Sequence, residues 1–155
     1  MPIDRPRDPA GRPRNARERD AAGRPLPPGV QGVERIPDDF VLPPREALAE
    51  AQRLVDDGRP FSAHEVLEGS WKAAPAAERA LWRALAQLAV GLTHAQRGNL
   101  TGAETLLRRG ASGLGQGAAT APYDIPVDRL RTDATRLADL AAAGQAFVPT
   151  LRFLP

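Results

Sequence analysis

The sequence has no cysteine, one lysine and few aromatic side chains, and its valines and isoleucines are scarce and scattered. Without cysteine there is no disulfide and no thiolate metal site, and a cytosolic address is the default expectation. The shortage of β-branched residues argues against a sheet. No apolar run approaches the roughly 20 residues that a membrane span needs; the longest, Leu85 to Leu92, is interrupted by Gln87. The N-terminus is charged and proline-rich without an apolar core, so neither a secretory signal nor a membrane partner is expected. Of the 21 basic residues only Lys72 is not arginine. Arginine stays charged up to a pH of about 12, so the isoelectric point is high although the net charge is only +2. Phosphate affinity scales with unopposed positive charge, so this near balance argues against a nucleic-acid partner.

What is present in quantity is alanine and leucine, the strongest helix formers. At 155 residues the chain is long enough for one domain with a real core. These features predict an all-α fold: a compact array of about five helices over residues 44–155, behind an extended Pro/Arg-rich arm over residues 1–43. The arm holds more than half of the chain's 16 prolines, and it has too little apolar surface to offset its chain entropy. A short repeat runs through it: Arg7-Asp8-Pro9-Ala10-Gly11-Arg12-Pro13 returns as Arg19-Asp20-Ala21-Ala22-Gly23-Arg24-Pro25. Its last part, Val30 to Leu42, carries Val33, Ile36, Phe40, Val41 and Leu42, which are suited to lying along the helices.

Punctuation divides the remainder. Pro43-Pro44 opens a first helix that stops at Gly58. A second runs from a capping box, Ser62 with Glu65, to about Ala74. A third spans about Ala76 to Arg97 and is apolar most of the way round, which marks it as central. The fourth starts at another capping box, Thr101 with Glu104. A short Gly98-Asn99-Leu100 link makes helices three and four an antiparallel hairpin, and Gly102 and Gly110 suit close backbone approach there. Gly113 to Ala121 reads as a loop. A fifth helix follows Pro126 and ends at Gly144, and the apolar tail Phe147 to Leu154 is expected to fold back on the bundle.

The stretch Phe61 to Trp71 concentrates the chemistry. His64, one of only two histidines, is followed by Glu68 at four residues and Trp71 three later. On a helix these share one face, so a titratable pair lies in the apolar stripe. His64-Glu65-Val66-Leu67-Glu68 departs from the zincin pattern His-Glu-x2-His because its last residue is Glu. No serine is tied by spacing to His64, and Gly110 to Gly117 lacks the lysine and the preceding strand of a phosphate loop.

The motif Phe61-x2-His64-Glu65-x2-Glu68-x2-Trp71 continues as Leu85-x-Gln87-Leu88-Ala89-x4-His94-x3-Gly98-Asn99-x2-Gly102-Ala103-x2-Leu106. Together the two segments resemble the domain of unknown function 309 family over about residues 45 to 110. The resemblance implies a small helical domain of bacteria and archaea with no established activity. It also implies a candidate divalent-metal site (zinc, manganese or nickel) on His64, Glu68 and His94, with Phe61, Trp71 and Gln87 as pocket residues. Gly69-Ser70 departs from the bulkier residues common in the family.

Three functions follow from the cluster. A metal-dependent hydrolase would use Glu68 or Glu65 as base on a metal-bound water. A metal or ligand site would leave an open pocket where His64, Glu68 and His94 converge. A structural or protein-interaction module, alone or as a homo-oligomer, would close the cluster in mutual contact and show an apolar groove elsewhere.

Overall fold

Helix punctuation dominates the architecture of the computed structural model, which describes residues 40–115 and 121–155. Five α-helices follow in order: α1 (Pro44–Asp56), α2 (Pro60–Ala73), α3 (Ala76–Gln96), α4 (Leu100–Gly115) and α5 (Val127–Ala142), with a 3-10 turn at Pro122–Asp124 before α5. There is no strand among the described residues. The expected all-α class is the one observed; the arm up to residue 39 lies outside the described residues.

α1, α3 and α5 end in the same way. Gly58, Gly98 and Gly144 have φ of 74°, 79° and 72°. The amide after each glycine returns to a carbonyl five residues back: Arg59 to Leu54, Asn99 to His94 and Gln145 to Leu140. Each is a Schellman closure, which needs a left-handed residue that glycine adopts without cost from a Cβ. Each helix packs on its chain neighbours, α1 on α2, α2 on α3, α3 on α4 and α4 on α5, and the first three connections are turns of two or three residues.

α3 is the centre. Leu81, Trp82, Ala84, Leu85, Ala86, Leu88, Ala89, Gly91 and Leu92 are all buried. The hairpin with α4 is tight because glycines meet leucines. A Cβ on Gly110 would lie 2.5 Å from Leu88, and one on Gly91 would lie 2.8 Å from Leu107. Leu151 and Phe153 of the tail are buried, as expected, while Val148 is 75 % exposed.

Both helix starts expected from capping boxes fall elsewhere. α2 begins at Pro60, and Ser62 is buried inside it. Proline at the first helical position is already set to helical φ, which moves the start upstream of Ser62. α4 begins at Leu100, because Asn99 and not Thr101 is the cap: the Gly102 amide donates to Asn99 Oδ1 at 3.0 Å. α4 also runs on to Gly115 with Ala111 and Leu114 buried, where a loop from Gly113 was expected; residues 116–120 lie outside the described residues. Asn99→Ala is expected to lower stability by about 1 kcal/mol, the usual value of an N-cap side chain, read by urea unfolding.

Gly69, the departure noted in the sequence, has a packing reason. A Cβ there would sit 2.5 Å from the Phe40 carbonyl oxygen. The lead-in Phe40 to Pro43 crosses α2 at this point. Phe40 and Leu42 pack on the core, and Val41 stays 53 % exposed.

Candidate functional site

α2 carries a ladder of charge-capable groups at i, i+4 and i+8. His64 Nε2 lies 3.3 Å from Glu68 Oε2, and Lys72 Nζ lies 3.3 Å from Glu68 Oε1. The His64 side chain is 21 % exposed and that of Glu68 34 %. The pair is therefore in mutual contact and largely covered. On the other side of the ring Phe61 packs at 5.6 Å between centroids, with the Arg97 guanidinium 6.0 Å from the Phe61 centroid. Trp71 is half-buried, with the Arg83 guanidinium 5.7 Å from its ring.

The tautomer follows from the partners. A carboxylate only accepts, so the single proton of a neutral His64 sits on Nε2, facing Glu68. That leaves Nδ1 as a buried nitrogen with no hydrogen-bond partner. Hydrogen bonding to the Phe61 carbonyl favours the protonated ring. Burial lowers the His64 pKa below its ordinary value and outweighs the opposing pull of Glu68 and the Phe61 carbonyl. The ring is thus held neutral at pH 7.

His94 is placed differently. It is half-buried near the end of α3. Asn99 Nδ2 approaches its Nδ1 at 3.2 Å. The cap fixes the orientation of Asn99, since its Oδ1 is taken by the Gly102 amide. The NH2 group therefore points at His94, and Nδ1 must be the lone-pair nitrogen. A Cβ on Gly102 would lie 3.0 Å from the ring, so His94 packs against the first turn of α4. Burial, and then the nearby Arg97 charge, lower its pKa as well.

The sequence-predicted residues thus divide. The structure brings His64 and Glu68 together, sets Phe61 against the ring, and adds Lys72. It places His94 in the α3–α4 turn with Asn99. Gln87 and Glu65 are half-buried on α3 and α2. A zinc-type centre needs three protein ligands, and among the described residues no group of three or more His, Asp or Glu could hold a metal ion. Through Nε2, His94 could ligate only by moving its proton to Nδ1, against the Asn99 amide hydrogens. The described residues do not fit the metal that the family resemblance implies.

Both imidazole shifts have the same consequence. A histidine whose folded-state pKa is lowered binds its proton more readily in the unfolded chain. Their contribution to stability is complete above about pH 6.5 and is lost as pH falls from there towards the lowered folded-state values. Below those values it stays lost without further change. Thermal melts from about pH 7.5 down to about 5 are expected to show this decline, and His64→Gln should flatten it. A wild-type profile already flat in that window would contradict the neutral, buried ring.

Two further polar features escaped the sequence pattern. Gln52, 4 % exposed, donates from Nε2 to the Leu151 carbonyl at 3.1 Å and accepts the Phe153 amide at 2.7 Å. Its one legible signal is position: it is a polar residue within the stripe of Leu48, Ala51 and Val55. The second is a cleft of about 420 Å³ bounded by the lead-in and the ends of α2 and α3, lined by Val41, Leu42, Ser70, Pro75, Glu78 and Trp82 among others. It does not include His64 or Glu68.

An all-helical array in which each helix packs on its chain neighbours, with a His–Glu pair on the second helix, defines the class of fold. Residues 48–106, from within α1 to within α4, match the family described as Domain of unknown function (DUF309). No curated protein and no solved structure matches the chain. No helix among the described residues is long and apolar enough to cross a membrane.

Proposed function

We propose that this domain is a non-catalytic helical module for packing and partner binding, and that its His64–Glu68 pair serves to fix α2 within the array. The observation that carries this is the separation of chemistry from concavity. The titratable pair is closed on itself, with a neutral ring facing a carboxylate that is also held by Lys72, while the apolar cleft opens elsewhere. Binding sites are concave and mostly apolar with few polar groups, and the surroundings of His64 do not match that description.

The competing reading, a divalent-metal site on His64, Glu68 and His94 with or without hydrolysis, is separable by linkage. A metal that binds only the folded chain at 100 times its Kd stabilises it by about 2.7 kcal/mol. Urea unfolding is measured with and without zinc, manganese or nickel on the wild type and on His64→Ala. The module reading expects His64→Ala to lower the midpoint equally in all conditions. A metal-dependent rise in the wild type that His64→Ala abolishes would overturn it.

A further inference from the structure

The cleft beside the lead-in has a composition that goes beyond an apolar groove. Its walls are Val41, Leu42, Pro43, Pro44, Ala73, Ala74, Pro75 and the Trp82 indole, with Ser70 and Glu78 as the polar residues. Ser70 is only 7 % exposed, and its Oγ is buried with no hydrogen-bond partner. A buried hydroxyl left unpaired costs stability unless something outside the fold satisfies it.

Glu78 is held in place by neutral donors. Trp82 Nε1 donates to Glu78 Oε1 at 3.3 Å. Tyr123 lies 6.1 Å from Trp82 between ring centroids, and hydrogen bonding to Glu78, then burial, raises the pKa of its phenol. Tyr123 and Asp124 reach this position with φ of 60° and 58°, an uncommon conformation for residues with side chains, which the surrounding contacts must maintain. The Arg45 guanidinium lies 5.9 Å from the Tyr123 centroid and is drawn to Asp124 at 3.2 Å, and that of Arg79 is held on the Ala74 carbonyl at 3.5 Å. Glu78 has no ion pair among the described residues, so the site presents a carboxylate oriented by neutral groups beside an apolar wall.

We propose that this cleft binds a small organic cation, a primary ammonium on an apolar or aromatic body, with the ammonium on Glu78, a hydrogen bond to Ser70 Oγ and the body against Trp82 and the prolines. An ammonium offers three donors, enough for the carboxylate and the hydroxyl oxygen together. A volume of about 420 Å³ lies in the range of small-molecule sites. An anion would be repelled by Glu78, and a neutral isostere would forgo the charge-assisted bond.

The test is calorimetric titration of the full chain with phenethylammonium, and in parallel with 2-phenylethanol and phenylacetate, which keep the body and change the charge. The expected result is saturable one-to-one binding of the ammonium, weakened by added salt, with both analogues at least about tenfold weaker. Glu78→Gln should weaken the ammonium by about tenfold or more, and Ser70→Ala by a few-fold. Circular dichroism confirms that each variant is folded. Ala73→Phe, which fills the cleft from an exposed position, supplies a second block should Glu78→Gln unfold. The proposal is overturned if the ammonium gives no saturable heat up to about 10 mM, if amine and alcohol bind alike, or if the folded cleft variants bind as the wild type does.

Discussion

Phe153→Ala is expected to lower the unfolding free energy by about 3–5 kcal/mol, the usual range for truncating a fully buried phenylalanine. Phe153 is 0 % exposed, although it lies two positions from the last residue of the sequence. Its ring belongs to the same core as Leu48, Leu54 and Leu137. Removing it takes away both the transfer free energy and the contacts of the lining side chains, because a core of this density collapses only partly into the gap. With a urea m value of about 2 kcal/mol/M, the midpoint should fall by roughly 2 M. A fall under about 0.5 M would mean that the tail is held loosely and contributes little to the core.

The second large effect is predicted at Gln52. Gln52→Leu keeps the volume but orphans the Leu151 carbonyl and the Phe153 amide, both buried partners of Gln52. Each orphan costs about 1–3 kcal/mol, so a loss of about 2–5 kcal/mol is expected. The two substitutions act on one contact, so they should not add: with Phe153 truncated the tail is free to leave, and its backbone groups regain water. Combined in a double-mutant cycle, the pair should fall short of the sum of the single effects by more than about 0.5 kcal/mol. Strict additivity would contradict the clamp.

These residues also show what the sequence could and could not disclose. Helix bodies were legible because Ala and Leu recur at helical spacing and because a glycine stands at each Schellman end, at Gly58, Gly98 and Gly144. Helix starts were less legible, since several residues compete to cap the same turn: Pro60 displaced Ser62, and Asn99 displaced Thr101. The His64–Glu68 contact was legible because i, i+4 spacing alone creates it. Joining His94 to that pair was not a local matter. It depended on where the α3–α4 turn points the ring, and Asn99 decides that. The Gln52 clamp joins residues 99 and 101 positions apart, beyond the reach of any periodicity. The cleft likewise arises from how Pro75 turns α2 into α3 and from how Gly69 admits the Phe40 carbonyl, and neither writes a motif.

Gly69 and Ser70 carry a related lesson. As a departure from the family's bulkier residues they look like a loss of helix propensity. In the fold Gly69 makes room for the lead-in backbone, and Ser70 supplies a hydroxyl in the wall beside it. Both positions therefore bear on the cleft proposed above as a binding site.

The central claim is that His64 is a neutral, buried packing residue paired with Glu68. The measurement closest to it is the proton NMR titration of the two histidine rings in the full chain, with and without one equivalent of zinc. His64 is expected to titrate below the ordinary value of about 6.5, on a curve that zinc leaves in place and that does not report on His94. A stoichiometric zinc-induced shift of both rings together, abolished in Glu68→Gln, would contradict the claim and make the pair part of a metal centre.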